Sequence, residues 1–331
     1  MSEAAERLFP APSLLVRYGD PADVPAHSLL AAVRYHESSP ATGALTIDSG
    51  FSIWARSPEL AQKPGLCELW VTDCPVAHHQ DGALRFADDG RFLFGVIEID
   101  EGEAGSIERA AEIAYQRIID FMAKRPGSQI LRYWNYFSRI NEGQGDAERY
   151  RHFCTGRASG LGDFRVEQLP AATAIGRQDD TPCLQVYWLA ASAAGRHIEN
   201  PRQVSAYRYP RCYGPTSPSF SRAHLLSQGP LLISGTASVV GHESHHVGDL
   251  DAQFHETLSN LNSLIQNARR FHDRLPVRFG AQSVLKVYLR HREHLDRVTR
   301  LMSALPNTPW IIVGGDICRA DLLIEIDGLH Q

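Results

Sequence analysis

Hydrophobic positions along the chain follow two rhythms, one with a period of two and one with steps of three and four. The two-residue period runs through LLVRYG (14–19), FSIWAR (51–56), CELWVT (67–72), FLFGVIEID (92–100) and QILRYWNYFSRI (129–140), and predicts strands. Between the last two, Ile107, Ala110, Ala111, Ala114, Ile118, Phe121 and Met122 fall on one helical face, which predicts a helix over Ser106–Lys124. The second half repeats the order. CLQVYWLA (183–190) and PLLISGTASVV (230–240) read as strands. A helix over Leu250–Phe271 follows, with Phe254, Leu258, Leu261, Ile265 and Ala268 as its apolar stripe. SVLKVYLR (283–290) and WIIVGGDI (310–317) flank a short helix over His291–Met302, and LLIEIDG (322–328) closes the chain. Strands, a long helix and strands, twice over, predict an α+β fold of two related halves, 1–170 and 171–331. The join is expected among Gly160, Gly162, Pro170 and the polar run GRQDDTP.

Composition narrows the class. A chain of 331 residues with 43% hydrophobic and 21% charged residues can bury a sizeable core. A net charge of −5 argues against nucleic acid as the main partner. The six cysteines form no C-x-x-C pair and no finger-like spacing, and no signal-peptide pattern leads the sequence, so reduced thiols in a cytoplasmic protein are expected. No apolar run approaches the length of a bilayer span.

Three stretches carry candidate chemistry. ERYRHFCTGRASGLG and SAYRYPRCYGPTSPSFSRA mix arginine with aromatics: Tyr150 and Arg157 in one, Arg208, Tyr209, Arg211, Tyr213 and Arg222 in the other. A guanidinium beside a phenol suits a carboxylate on a small ring-shaped ligand, and two such segments suit a dicarboxylate. The bland alternative is arginine stacked on tyrosine at loop surfaces. SGTASVVGHESHHVGDLDAQ holds His242, His245, His246 and Asp249, but the spacing fits no helical zinc pattern, and no G-x-S-x-G elbow is present; solvated loop histidines are the simpler reading. In GGDICRADLLIEIDG, Gly314 and Gly315 permit a tight turn or a close approach, and Cys318 and Arg319 follow. Alternation puts Glu325 on the more polar strand face with Asp321 and Asp327, which on its own favours a solvated carboxylate.

Residues 230–331 resemble the RidA/YjgF superfamily, in the order of an ISG strand, a helix with Gln and Asn-Leu, a KVYL-like strand and a terminal E-I strand. In that superfamily the terminal carboxylate lies in a pocket at a subunit boundary. A resemblance over most of the chain is carried by RYWNYFSRIN, ERYRHFCTGR, NPRQVSAYRYPRCYGPTSPSFSRA, SGTASVVGHESHH and GGDICRADLLIEIDG, which look like the chorismatase family. Its members cleave chorismate to pyruvate and either a cyclohexadiene diol or a hydroxybenzoate. The likeness is nearest to hydroxybenzoate-forming members, such as the 3-/4-hydroxybenzoate synthase of xanthomonad pigment and ubiquinone pathways. It implies two RidA-like halves whose intrachain interface imitates part of a trimer.

The resemblance implies Tyr150, Arg157, Tyr209 and Arg222 as substrate-binding residues, with Arg208, Thr236 and Arg319 as further lining. Glu325 is implied as the acid that protonates the methylene carbon of the enolpyruvyl ether. Cys318 falls where members with different products differ, cysteine being the benzoate-forming type. No metal or other cofactor is required, the partner is the small molecule chorismate, and monomer or homo-oligomer stays open. Three alternatives remain: hydrolysis of chorismate to pyruvate and 3,4-dihydroxycyclohexa-1,5-dienoate, a RidA-like enamine or imine deaminase, for which Arg319 is a partial fit, and a non-catalytic small-ligand binder. A pteridine-dependent dioxygenase finds no iron triad or pterin motif.

Overall fold

The structure is a computed structural model that describes residues 14–35, 51–55, 59–61, 66–193, 195–227 and 229–331. Four strands at the start of the chain, β1 (Leu14–Gly19), β2 (Leu29–Tyr35), β3 (Ser52–Ala55) and β4 (Cys67–Thr72), form one sheet in the order β1-β4-β2-β3. Arg56, the last residue of the expected FSIWAR strand, lies outside the described residues.

The duplication expected from the sequence is present as a repeated topology. The first unit contains β5 (Ala77–Asp81), β6 (Leu84–Asp88), β7 (Phe92–Asp100), helix α1 (Ile107–Ala123), β8 (Gln129–Ser138), helix α2 (Arg149–Leu161), β9 (Ala171–Arg177) and β10 (Cys183–Ala191). The second contains β11 (Gly195–Ile198), β12 (Ala223–Leu226), β13 (Leu231–Ala237), α3 (Leu250–Arg269), β14 (Val284–Leu289), α4 (Leu295–Ser303), β15 (Trp310–Gly314) and β16 (Ile324–His330). The sheets run β9-β8-β10-β7-β6-β5 and β15-β14-β16-β13-β12-β11. In both, the pairs β8–β9 and β14–β15 are parallel and their neighbours antiparallel. The boundary expected at 170 therefore falls inside the first sheet, because Ala171–Arg177 and Cys183–Ala191 pair there. Gly- and Pro-rich composition marks the loop after α2, and the sheet continues past it.

Each sheet is extended by a short strand from elsewhere in the chain. Asp316–Ile317 of the second unit pairs with β9 of the first, and Glu59–Ala61 pairs with β15. Gly315 makes the first crossing possible: a Cβ there would sit 2.5 Å from Cγ2 of Ile175, so only glycine lets the two backbones approach. Helices cover the outer faces. Ile118 and Phe121 of α1 pack on Tyr133 and Trp188, and Phe254 and Leu261 of α3 pack on Ile324 and Ile326. The inner faces meet in one cluster that includes Val33 and Trp70 of the four-stranded sheet, Phe94 and Trp134 of the first unit, and Leu232 and Tyr288 of the second.

That arrangement settles the face question for β16. Ile324 and Ile326 point toward α3, so Glu325 and Asp327 point the other way, into the seam between the units. Both are buried, at 5% and 1% exposure. The solvated carboxylate favoured by local alternation is thus corrected: the polar face of this strand is an interior face.

Helix α2 was not legible from periodicity, since RYRHFCTGRASGL has no clean apolar stripe. It is held by close approach to α1. A Cβ on Gly156 would lie 1.9 Å from the Glu108 carbonyl oxygen, and one on Gly160 2.5 Å from that of Glu112. Replacing Gly156 by alanine should therefore push α2 off α1 and cost about 1–3 kcal/mol of stability, as overpacking typically does. Denaturant unfolding of Gly156→Ala checks this; an unchanged midpoint would mean that the helices do not pack this closely.

Candidate active site

At the seam between the units lies a cavity of about 450 Å³. Helix α2 contributes Tyr150, the long connection between β11 and β12 contributes Tyr209, Tyr213 and Arg222, and β13 contributes Gly235. The loop leading into β16 contributes Cys318 and Arg319, and β16 itself Glu325. Six of the residues implied by the sequence, Tyr150, Tyr209, Arg222, Cys318, Arg319 and Glu325, thus meet on one cavity although they are scattered over 176 positions, from 150 to 325 inclusive.

Glu325 is seated by an irregularity in β13. The register between β13 and β16 shifts between Ile233 and Thr236, a bulge that takes Ser234 and Gly235 out of the ladder. The Glu325 carboxyl rests against Gly235, where a Cβ would stand 2.0 Å from Oε1. The amide of Gly235 donates to Thr173 Oγ1 of β9 at 3.0 Å, so the first unit fixes the seat. Burial pushes the Glu325 carboxyl up to about 8, and the Asp327 charge adds to the shift; Arg222 and Arg290 oppose it. Near neutrality this group carries its proton.

Two guanidinium groups line the same cavity. Arg222 donates from Nη2 to the Val204 carbonyl at 2.9 Å and to Tyr209 Oη at 2.7 Å, while its buried Nε has no partner. Arg319 stacks on Tyr213 (4.3 Å from the ring centroid) and Tyr209 (5.2 Å), and donates to the His242 carbonyl and to Ser244 Oγ. Tyr209 therefore lies between two cations, since Arg222 is 5.6 Å from its ring centroid. Cys318 is a thiol rather than a thiolate, because burial, with Glu325 adding, pushes it up to about 12.

Three implied residues do not line the cavity. Arg157 is buried off the cavity wall, its guanidinium 4.9 Å from the Tyr115 ring centroid and 5.4 Å from that of Tyr133, with Nε and Nη2 unpartnered. Arg208 is exposed at the end of a 3₁₀ turn. Thr236 turns its hydroxyl to the Ser234 carbonyl at 2.9 Å. Of the loop histidines, His242 Nδ1 lies 3.3 Å from Tyr213 Oη, and Asp249 caps α3 by accepting from the Ala252 amide. Among the described residues no group of three or more histidine, cysteine or acidic side chains is placed to hold a metal ion.

Periodicity gave no hint of Arg290, which follows β14. Its Nε donates to the Leu322 carbonyl, Nη1 to Asn141 and Asp316, and Nη2 to the carbonyls of Ile317 and Arg319. It pins the whole loop that carries Cys318 and Arg319. From the other side Gln253 of α3 holds the same loop, donating to the Asp321 carbonyl and accepting from the Leu323 amide. The repeat sets Glu325 against its counterpart in the first unit. Tyr288 of β14 faces Glu325 and Val313, as Tyr136 of β8 faces Gln185 and Ile175, so the first unit has an amide where the second has Glu325.

Comparison with known proteins places the chain in a family. A family model described as Chorismatase FkbO/Hyg5-like, N-terminal, matches residues 68–190. A 3-hydroxybenzoate synthase of Streptomyces hygroscopicus is 33% identical over 299 residues, covering 86% of this chain and 87% of that protein. A chorismatase of Streptomyces rapamycinicus is 36% identical over 275 residues, covering 79% of this chain and 81% of that protein. A chorismatase crystal structure superposes on 97% of this chain and 98% of its own with a TM-score of 0.82 at 31% identity. Identity of that level, sustained across both units and matched by the backbone over almost its full length, means that the chain belongs to the chorismatase family.

Proposed function

We propose that this enzyme cleaves the enolpyruvyl ether of chorismate, releasing pyruvate and a hydroxybenzoate, with 3-hydroxybenzoate the first product to seek and 4-hydroxybenzoate the second. The observation that carries the proposal is a neutral carboxyl, Glu325, at the wall of a cavity that also holds two guanidinium groups. Chorismate is a dianion. Arg222 and Arg319 each take one carboxylate, Tyr150 and Tyr209 orient the ring, and Arg157 adds positive charge from off the cavity wall. Filling Arg222 with a carboxylate also offsets part of the positive charge that pulls Glu325 toward ionisation, so substrate binding reinforces the acid form.

Proton transfer from Glu325 to the terminal methylene carbon makes an oxocarbenium ion, and the carboxylate left behind stabilises that cation. Water adds to the oxocarbenium carbon, the resulting hemiketal breaks its bond to the ring oxygen to free pyruvate and leave a ring diol, and loss of water from that diol aromatises the ring. Cys318, an uncharged thiol beside Glu325, shapes the wall next to the ring; the relative named 3-hydroxybenzoate synthase supports the aromatic outcome.

Incubation with chorismate, followed by a pyruvate assay and chromatography of the aromatic product, tests the proposal. Glu325→Gln should retain binding and lose turnover by about 10²–10⁴-fold. Undiminished turnover would remove Glu325 as the acid, and pyruvate accompanied by a diene diol would remove the aromatic product. Because the acid must be protonated, wild-type turnover should be full below the Glu325 pKa and fall as pH rises through about 8. Replacing Arg222 or Arg319 by alanine should raise KM by about 10- to 100-fold, the cost of a charge-assisted hydrogen bond. Affinity for a chorismate analogue that stayed constant in both would overturn the carboxylate assignment.

A further inference from the structure

The strand that carries Glu325 carries a second buried acid two residues on, facing the same way. Asp327 is held by several partners at once. Its Oδ2 accepts from Arg132 Nη2 at 2.9 Å, Thr173 Oγ1 at 2.9 Å and Tyr288 Oη at 3.1 Å. Its Oδ1 lies 3.6 Å from Lys286 Nζ. Lys286 in turn pairs with Glu68 at 2.9 Å and donates to Tyr35 Oη.

The charges in this cluster close on themselves. Arg132 and Lys286 supply two positive charges, Asp327 and Glu68 two negative ones, and all four are buried. No cation in the cluster is left to receive another anion. An ionised Glu325 would add a third negative charge beside a fixed one, away from water. The cluster also reaches the seat of the acid through hydrogen bonds. Thr173 Oγ1 donates to Asp327 and accepts from the amide of Gly235, the residue against which the Glu325 carboxyl rests.

We propose that Asp327 is the positioning residue of the catalytic acid: its fixed negative charge keeps Glu325 in the proton-carrying form, and its bond to Thr173 holds the Gly235 bulge on which the Glu325 carboxyl sits. The inference rests on Glu325 being the acid. Other charged and titratable groups around Glu325 enter from every side of the cavity. Arg222 and Tyr209 stand on the β11–β12 connection, Tyr150, Glu148 and Arg151 on or beside α2, and Arg290 after β14. Cys318, Arg319 and Asp321 stand on the loop before β16. Of these, Arg222 and Arg290 pull Glu325 toward ionisation, and the Asp327 charge adds to burial in opposing them.

The test compares pH profiles of kcat for chorismate cleavage in the wild type, Asp327→Asn and Lys286→Gln, on purified protein whose folded state is checked by circular dichroism. Asp327→Asn removes the fixed anion and leaves Arg132 and Lys286 in excess, so the alkaline limb should move at least one pH unit lower. From a limb at about 8, that is a rate loss of about fivefold at pH 8, nearing tenfold at pH 9 and above, with little loss at pH 5–6. Lys286→Gln removes a cation and should move the limb the other way. If Asp327→Asn does not fold, the upward shift in Lys286→Gln decides alone. A uniform loss at all pH values, or limbs that stay in place, would reduce Asp327 to a structural role and overturn the inference. A wild-type rate with no alkaline limb, or full turnover in Glu325→Gln, would instead overturn Glu325 as the acid and is distinguishable on that ground.

Discussion

A carboxyl group delivers a proton to carbon near neutral pH only where its anion is denied water and is not fully compensated by a cation. The seam between the two units of this chain supplies that condition. One face of β16 is apolar and packs on α3, so its other face, with Glu325 and Asp327, must be covered by the first unit. Covering it buries two acids. One is held as an ion-paired carboxylate by Arg132 and Lys286 and becomes part of the framework. The other lies at the cavity and keeps its proton.

The cavity follows from the same packing. Duplicated units with a shared topology would build duplicated sites if every position matched, yet Gln185 takes the place of Glu325 in the first unit, bonded to Glu98. The functional seam is further marked by the crossing of Asp316–Ile317 into the first sheet, which leaves the following loop, with Cys318 and Arg319, facing α2 and Tyr150. Arg290 and Gln253 use most of their polar atoms to hold that loop. The cavity is thus a product of how the units interlock, and the loop that brings Cys318 and Arg319 to it is held by Arg290 and Gln253, which do not line it.

Much of the framework was legible because burial on one side imposes a period. The strand FLFGVIEID is observed over Phe92–Asp100, and the helix expected over Ser106–Lys124 is observed over Ile107–Ala123 with Ser106 as its cap. What escaped depends on partners remote in sequence. Helix α2 packs through Gly156 and Gly160, and glycine contributes nothing to an apolar stripe. Alternation placed Glu325 and Asp327 on one face, but nothing local to LLIEIDG says that Thr173 and Arg132, some 150 and 190 residues earlier, cover it. Family resemblance supplied Tyr150, Arg157, Tyr209, Arg222, Arg319 and Glu325 as a set; the fold stacks Arg319 on two tyrosines and leaves Arg157 off the cavity wall, over the Tyr115 ring.

The central claim is that Glu325 is a carboxylic acid, not a carboxylate, in the folded enzyme at neutral pH. Infrared difference spectra between the wild type and Glu325→Gln, recorded across pH, read this directly from the stretch of a protonated carboxyl. The account predicts that the band is present at pH 7 and fades as pH rises through about 8. A carboxylate signature already complete at pH 6 would contradict it.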